Sequence, residues 1–152
     1  MATVITAGAF LVLITTVFHY EILRLLSFSL PMLRVPPRAR LLFVIFTAFL
    51  AHGIQILLYA VAYDVLTGVF ALGGLQGSHH PSMITFLYFS AETYTSLGFG
   101  DISPVGPMRL LTGVESLNGL LLIGWSASYT YLAMERFWTE PKYGTRSVPK
   151  PE

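Results

Sequence analysis

The chain has 152 residues, of which 54% are hydrophobic and 11% charged, against roughly 25% charged residues in an ordinary soluble domain; its mean hydropathy is +0.65. The net charge of +1 leaves no polycationic surface for nucleic-acid phosphates, an aromatic content of 14% excludes disorder, and the absence of cysteine excludes disulfides, thiolate catalysis and zinc knuckles. One domain in a lipid bilayer is the class that remains.

A transmembrane helix needs about 20 mostly apolar residues to cross a hydrocarbon core of roughly 30 Å. Residues 4–26 meet that requirement, interrupted only toward the far end by His19, Glu21 and Arg24, the last two sharing one helical face. Residues 41–63 contain no Lys, Arg, Asp or Glu, and His52 and Gln55, three apart, are placed to bond to a neighbouring helix. A third span is predicted over 108–134, opening after Pro107 as a proline near the first turn permits. Between the first two spans Pro36-Pro37 breaks the helix, with Arg34, Arg38 and Arg40 close by. The polar stretch 135–152 carries Arg136, Lys142, Arg146 and Lys150. These four, with Arg24, Arg34, Arg38 and Arg40, fall on one side if the spans alternate, and only Arg109 falls on the other. The positive-inside rule then predicts an external N-terminus and a cytoplasmic C-terminus. No cleaved signal peptide is expected, since no basic n-region precedes the first apolar stretch.

The segment between the second and third spans has a different order. A Gly-rich turn over 73–81, with His79 and His80 read as a solvated turret, is followed by an apolar run over 82–94 that Pro81 or Ser82 can start as a helix. Thirteen residues of helix reach about 20 Å, too short to span and suited to a re-entrant element. Then come Thr95-Ser96-Leu97-Gly98-Phe99-Gly100-Asp101 and two prolines, Pro104 and Pro107. Non-helical backbone at membrane depth is tolerated only where it is buried in protein or lines a water-filled path, so the Gly-Phe-Gly run predicts a pore lining.

The stretch Ala91-Glu92-Thr93-Tyr94-Thr95-Ser96-Leu97-Gly98-Phe99-Gly100-Asp101 resembles the pore loop of tetrameric potassium channels, whose pattern is Thr-Thr-Val-Gly-Tyr/Phe-Gly-Asp. The resemblance covers outer helix, pore helix, filter and inner helix over residues 41–136 and leaves the first span outside. A filter replaces an ion's hydration shell with rings of backbone carbonyls, so successive carbonyls must point to one axis. That needs dihedrals open to glycine at alternate positions, which Gly98 and Gly100 supply. The resemblance implies potassium ions at Ser96, Leu97, Gly98 and Phe99, with Gly100 completing the filter, the side chains of Leu97 and Phe99 turned into a supporting cuff, and the Ser96 hydroxyl closing the innermost site. It implies support from Thr95 and from Glu92 and Asp101, two carboxyls that share a proton in some members; the other role for that pair is a solvated Asp101 with Glu92 on backbone amides. Tyr88 and Phe89 stand where the family usually has two tryptophans around the filter. Ser96 in place of Thr and Leu97 in place of Val or Ile depart from the pattern and bear on selectivity.

Polar residues inside a span are functional candidates by default. Glu115 and Asn118 on the third span are read as cavity or gate residues or as interhelical hydrogen-bond partners, Glu115 toward the pore helix. Gly119 and Gly124 fall near the hinge of the family's inner helix, and close helix packing is the other role open to them.

The expected fold is all-α, with three transmembrane helices, a re-entrant pore helix and a selectivity-filter loop, assembled as a homotetramer. Residues 1–40 form an N-terminal helix and link, 41–136 the pore domain and 137–152 a cytoplasmic tail. The expected function is passive potassium conduction across the plasma membrane without a cofactor, with an unidentified partner of the first span open. The other readings are a weakly selective cation channel, a non-conducting modulatory subunit, and an intramembrane hydrolase pairing Ser96 with His52, which lacks a nucleophile motif.

Overall fold

The structure, a computed structural model, describes residues 1–77 and 82–139. Helix α1 (Ala2–Ser29) is followed by a single 3-10 turn (Leu30–Met32), α2 (Pro37–Gly68), a short strand β1 (Gly74–Gln76), the half-length α3 (Met83–Tyr94), β2 (Ser103–Val105) and α4 (Met108–Thr139). Three of these helices, α1, α2 and α4, are long and apolar enough to cross a membrane, which makes the chain a multi-pass membrane protein.

The helices overrun the expected spans at several ends. Pro37 occupies the first turn of α2, where its fixed φ suits a helix and its missing N–H costs nothing. Arg38 and Arg40 therefore belong to the helix rather than to the link, and Arg40 Nη2 donates back to the Leu33 carbonyl at 3.0 Å. At the other end α4 continues to Thr139, beyond the expected boundary at 136. His79, His80 and the tail from residue 140 lie outside the described residues. Glu21 and Arg24 meet on α1 as expected, at 3.0 Å.

Helix α1 buries a single stripe, Val4, Gly8, Leu11, Thr15, His19, Leu23 and Leu26, spaced at three and four residues as one helical face requires. The stripe lies against α2 and α4, while α3 is held between α2 and α4. The main core gathers Val4 and Leu11 from α1, Tyr59, Ala60 and Tyr63 from α2, Phe86, Phe89 and Tyr94 from α3, and Met108 and Leu111 from α4. A smaller one, Leu23, Leu26, Leu30 and Val44, closes the opposite end of α1 and α2. Lipid is as apolar as leucine, so between membrane helices close packing and interhelical hydrogen bonds do the work that the hydrophobic effect does in water.

One element departs from the all-helical expectation. β1 and β2 pair antiparallel, with Gly74 opposite Val105 and Gln76 opposite Ser103. The pairing joins the turn after α2 to the segment just after the Gly98-Phe99-Gly100 run. Glycine is required here: Gly77 has φ +103°, and a Cβ on it would overlap the Asp101 carbonyl.

Candidate functional site

Helix α3 starts with a capping box, the Ser82 hydroxyl and the Thr85 amide and side chain satisfying each other. Of Pro81 and Ser82, the two starts the sequence allows, Ser82 is the N-cap. Thr95 caps the helix, its amide on the Ala91 carbonyl at 3.2 Å and its hydroxyl on the same oxygen at 2.7 Å, and the helix ends where Ser96 turns to φ +58°. A non-glycine residue in the left-handed region costs about 1–3 kcal/mol, and two bonds hold Ser96 there. Its amide donates to the Thr93 carbonyl at 2.9 Å, and its hydroxyl meets the Ser116 hydroxyl of α4 at 2.7 Å.

From Ser96 onward the handedness alternates. Ser96, Gly98 and Gly100 have φ of +58°, +55° and +82°, whereas Leu97 and Phe99 keep the ordinary negative φ. In a strand of uniform dihedrals successive carbonyls point to opposite sides; alternating their sign turns them to one side. The amides are turned the other way, and Glu92 gathers them. Its backbone carbonyl accepts from Leu97 at 2.8 Å and Gly98 at 3.3 Å, and its carboxylate Oε2 accepts from the Phe99 amide at 3.0 Å. Among the described residues, no hydrogen bond is accepted by the carbonyls of Ser96, Leu97, Gly98 or Phe99.

The outer end of the loop is braced from α3. Tyr88 donates to both Asp101 carboxylate oxygens at 3.1 Å, and its ring stacks on Phe99 with 6.3 Å between centroids and 5° between planes. Phe89 points the other way, buried edge-on against Tyr63. Tyr88 and Phe89, expected together around the loop, thus divide between loop and core. Glu92 and Asp101 each have their own donor, the Phe99 amide and the Tyr88 hydroxyl. Burial pushes the Glu92 carboxyl above its usual range and the charge of Asp101 adds to this, against the Phe99 amide, which lowers it.

The polar residues of α4 face inward to the bundle. Glu115 is fully buried; its Oε1 lies 2.6 Å from Ser90 Oγ of α3 and its Oε2 accepts from Tyr63 of α2 at 2.6 Å. This is the interhelical role toward the pore helix. Asn118 donates to Thr15 Oγ1 at 2.8 Å and to Tyr59 at 3.0 Å, so it ties α4 to α1 and α2, and the open face of α4 carries Leu117, Leu120 and Leu121 instead. The two glycines separate as well. A Cβ on Gly119 would overlap the Tyr94 carbonyl, while one on Gly124 meets nothing within 4 Å. Ser96 and His52 are not brought together: Ser96 bonds Ser116, and His52 bonds Gln55, Tyr94 and Ser126. The hydrolase reading loses its dyad.

Sequence reading passed over Ser116, Ser90, Tyr63 and Ser126. Each is a hydroxyl inside or beside a span, and the default suspicion that attaches to intramembrane polar groups would have found them.

A family model described as ion channel matches residues 42–136, well over half of the chain. The chain belongs to that ion channel family. The match takes in α3 and the loop that follows it whole, α2 from Leu42 on and α4 as far as Arg136; it leaves α1 outside. No curated protein and no solved structure matches the chain.

Proposed function

We propose that this ion channel is a potassium-selective pore in which four copies of the chain surround one axis and the carbonyls of Ser96, Leu97, Gly98 and Phe99 replace the ion's hydration shell. The observation that carries the reading is the alternation of φ at residues 96, 98 and 100, with the intervening amides drawn back onto Glu92 and the carbonyls left without a partner. One chain supplies one strip of carbonyls, so a ring needs several copies about an axis. Leu97 and Phe99 are 60% and 65% exposed in the single chain, and an assembled ring gives these side chains a cuff to enter. The carbonyl end of α3 adds its negative dipole below the filter. Thr95, Glu92 and Asp101 support the loop, conduction needs no cofactor, and the open face of α4 with Gly124 supplies cavity and hinge. The basic residues around the α1–α2 link support a reading in which that end is cytoplasmic, the N-terminus external and the membrane the plasma membrane.

A weakly selective cation pore is favoured by one specific feature. The Ser96 hydroxyl is engaged by Ser116 at 2.7 Å, a bond that competes with an ion for this group. The reversal potential of the reconstituted protein under a potassium/sodium gradient separates the two. A value near the potassium equilibrium potential, with current lost in Gly98→Ala, is expected; Gly98 needs φ +55° and has free space around it, so that loss reads conformation rather than a clash. A value near zero with current present identifies the weakly selective pore. Absence of current in any ion leaves a closed gate or a modulatory subunit, and a cross-linked tetramer then favours the gate.

A further inference from the structure

Behind the filter, five side chains from all four helices close a ring of hydrogen bonds. Gln55 Nε2 lies 3.2 Å from His19 Nδ1, His19 Nε2 lies 3.1 Å from Ser126 Oγ, and Ser126 Oγ lies 3.0 Å from His52 Nε2. His52 Nδ1 is 3.0 Å from the Tyr94 hydroxyl, and Tyr94 donates to Gln55 Oε1. His19 and His52 also stack, with 5.2 Å between ring centroids.

The direction of every proton follows from one neighbour. The Thr15 carbonyl lies 3.3 Å from Gln55 Nε2 and can only accept, so the amide nitrogen faces α1. His19 Nδ1 then accepts from Gln55, which places the His19 proton on Nε2 and directs it to Ser126. Ser126, having accepted there, donates to His52 Nε2. The His52 proton is therefore on Nδ1, aimed at the Tyr94 oxygen, with Gln55 Oε1 also in reach at 3.1 Å. Tyr94 donates to Gln55 Oε1 and the circuit closes. Around it each member donates once and accepts once. His19, Gln55 and Tyr94 are fully buried and Ser126 nearly so, a setting in which an unmade bond costs the full desolvation of the group.

Tyr94 is the last residue of α3, two before Ser96. Its hydroxyl is held by the ring and its carbonyl is pressed against Gly119 of α4, so the inner end of the filter starts from a point fixed on both sides. Helix α1 contributes one member to the ring, and that member touches both groups that hold Tyr94: Gln55 directly, and His52 by stacking and through Ser126. The geometry points to His19 as a positioning residue for the filter, by which α1, outside the matched channel segment, sets the inner end of the pore helix through Gln55, His52 and Tyr94. The inference rests on the reading of residues 96–99 as the conducting filter only for its effect on current; the mechanical link stands on the bonds alone.

The test uses the full chain in lipid nanodiscs, measuring amide hydrogen exchange at Ser96, Leu97 and Gly98 and, in liposomes, potassium current. His19→Leu should speed exchange at these amides about fivefold, the factor of one net hydrogen bond, and quicken current decay. His19→Gln, able to accept at Oε1 and donate from Nε2, should restore both. Tyr94→Phe, which removes one hydroxyl, should match His19→Leu, and the double variant should add nothing. Unchanged filter exchange in His19→Leu, or effects that add in the double variant, would overturn the proposal; should His19→Leu not assemble, unchanged exchange in Tyr94→Phe overturns it instead. Wild-type protein with the expected exchange pattern and no potassium current sinks the conduction reading and leaves the link. Selective current with exchange indifferent to every variant sinks the link alone.

Discussion

The two sides of the pore helix are built by opposite means. On one side, residues 96–100 leave four carbonyls without partners, hold a serine in the left-handed region and present Leu97 and Phe99 outward. On the other, Ser90 and Tyr94 face groups that are buried and bonded, Glu115 and Tyr63 toward one end and the Gln55 ring toward the other. The difference is instructive because the exposed side has no internal reason to keep its shape. Backbone that makes no bonds along itself and contains two glycines is conformationally free, so its order must come from the amides that Glu92 collects and from the fixed ends of α3. The 96–100 loop keeps its own carbonyls unsatisfied, and the satisfied groups behind it supply the stiffness.

Removing a satisfied group on the buried side should therefore have the largest effect. Glu115→Ala removes the shorter acceptor from Tyr63 and an acceptor from Ser90; Tyr63 retains Thr112 at 3.2 Å and Ser90 the Ile56 carbonyl at 2.8 Å, so the cost is that of lost charge-assisted bonds and a cavity, about 1–3 kcal/mol for each bond to a charged group, rather than that of two orphaned donors. The expected result is loss of the assembled protein on mild heating in detergent, with Glu115→Gln retaining more of it because the amide oxygen still accepts. Equal stability of Glu115→Ala and the parent would mean that the second acceptors carry the load and that the buried side does not depend on Glu115.

A smaller effect, and a sharper comparison, comes from the glycines of α4. In Gly119→Ala the new methyl meets a backbone carbonyl that cannot rotate away, so α3 or α4 must shift; overpacking of this kind costs about 1–3 kcal/mol, and the shift passes directly to the start of the filter. Gly124→Ala meets open space and, as a better helix former, should leave stability the same or raised by up to about 1 kcal/mol. Thermal survival of the two variants checks this. If both behave alike, Gly119 is not the contact that seats Tyr94.

These contrasts also mark what the sequence alone discloses. The spans were legible because 41–63 carries no charge, and the half-length helix because Ser82 can start it and the apolar run ends at 94, before the glycines. Gly98 and Gly100 announced the alternation of the filter backbone. That Ser96 joins the alternation was not legible, since serine has no preference for positive φ and is held there by Ser116, twenty residues away. The inward orientation of Asn118 depends on Thr15 and Tyr59, and the choice of partner is settled only when α1 docks. β1 and β2 are three residues each, one containing Pro104, and no periodicity of that length separates a strand from a turn. His52 and Gln55 were expected to bond to a neighbouring helix; that they hold α1, α3 and α4 at once belongs to the tertiary structure.

The smallest expected effect lies where the two sides meet, at Glu92. Its carboxyl accepts from the Phe99 amide and so belongs to the filter, yet it sits buried on α3 and within the influence of Asp101. Burial first, and the charge of Asp101 with it, raise its pKa over the usual 4.5, and the amide opposes them. A carboxyl whose folded value is raised binds its proton more tightly in the folded state, so the stability linked to it is complete below the ordinary carboxyl range and is lost as pH rises through the folded value. The filter should accordingly be steadier on the acid side, with current decay that quickens as pH climbs through that window. Glu92→Gln keeps an oxygen for the Phe99 amide and removes the titration, so its decay should be slow and flat across the same range, whereas Glu92→Ala, lacking the acceptor, should decay fast at every pH. A Glu92→Gln channel that still follows pH as the parent does would move the titrating group elsewhere and leave Glu92 as an amide acceptor alone.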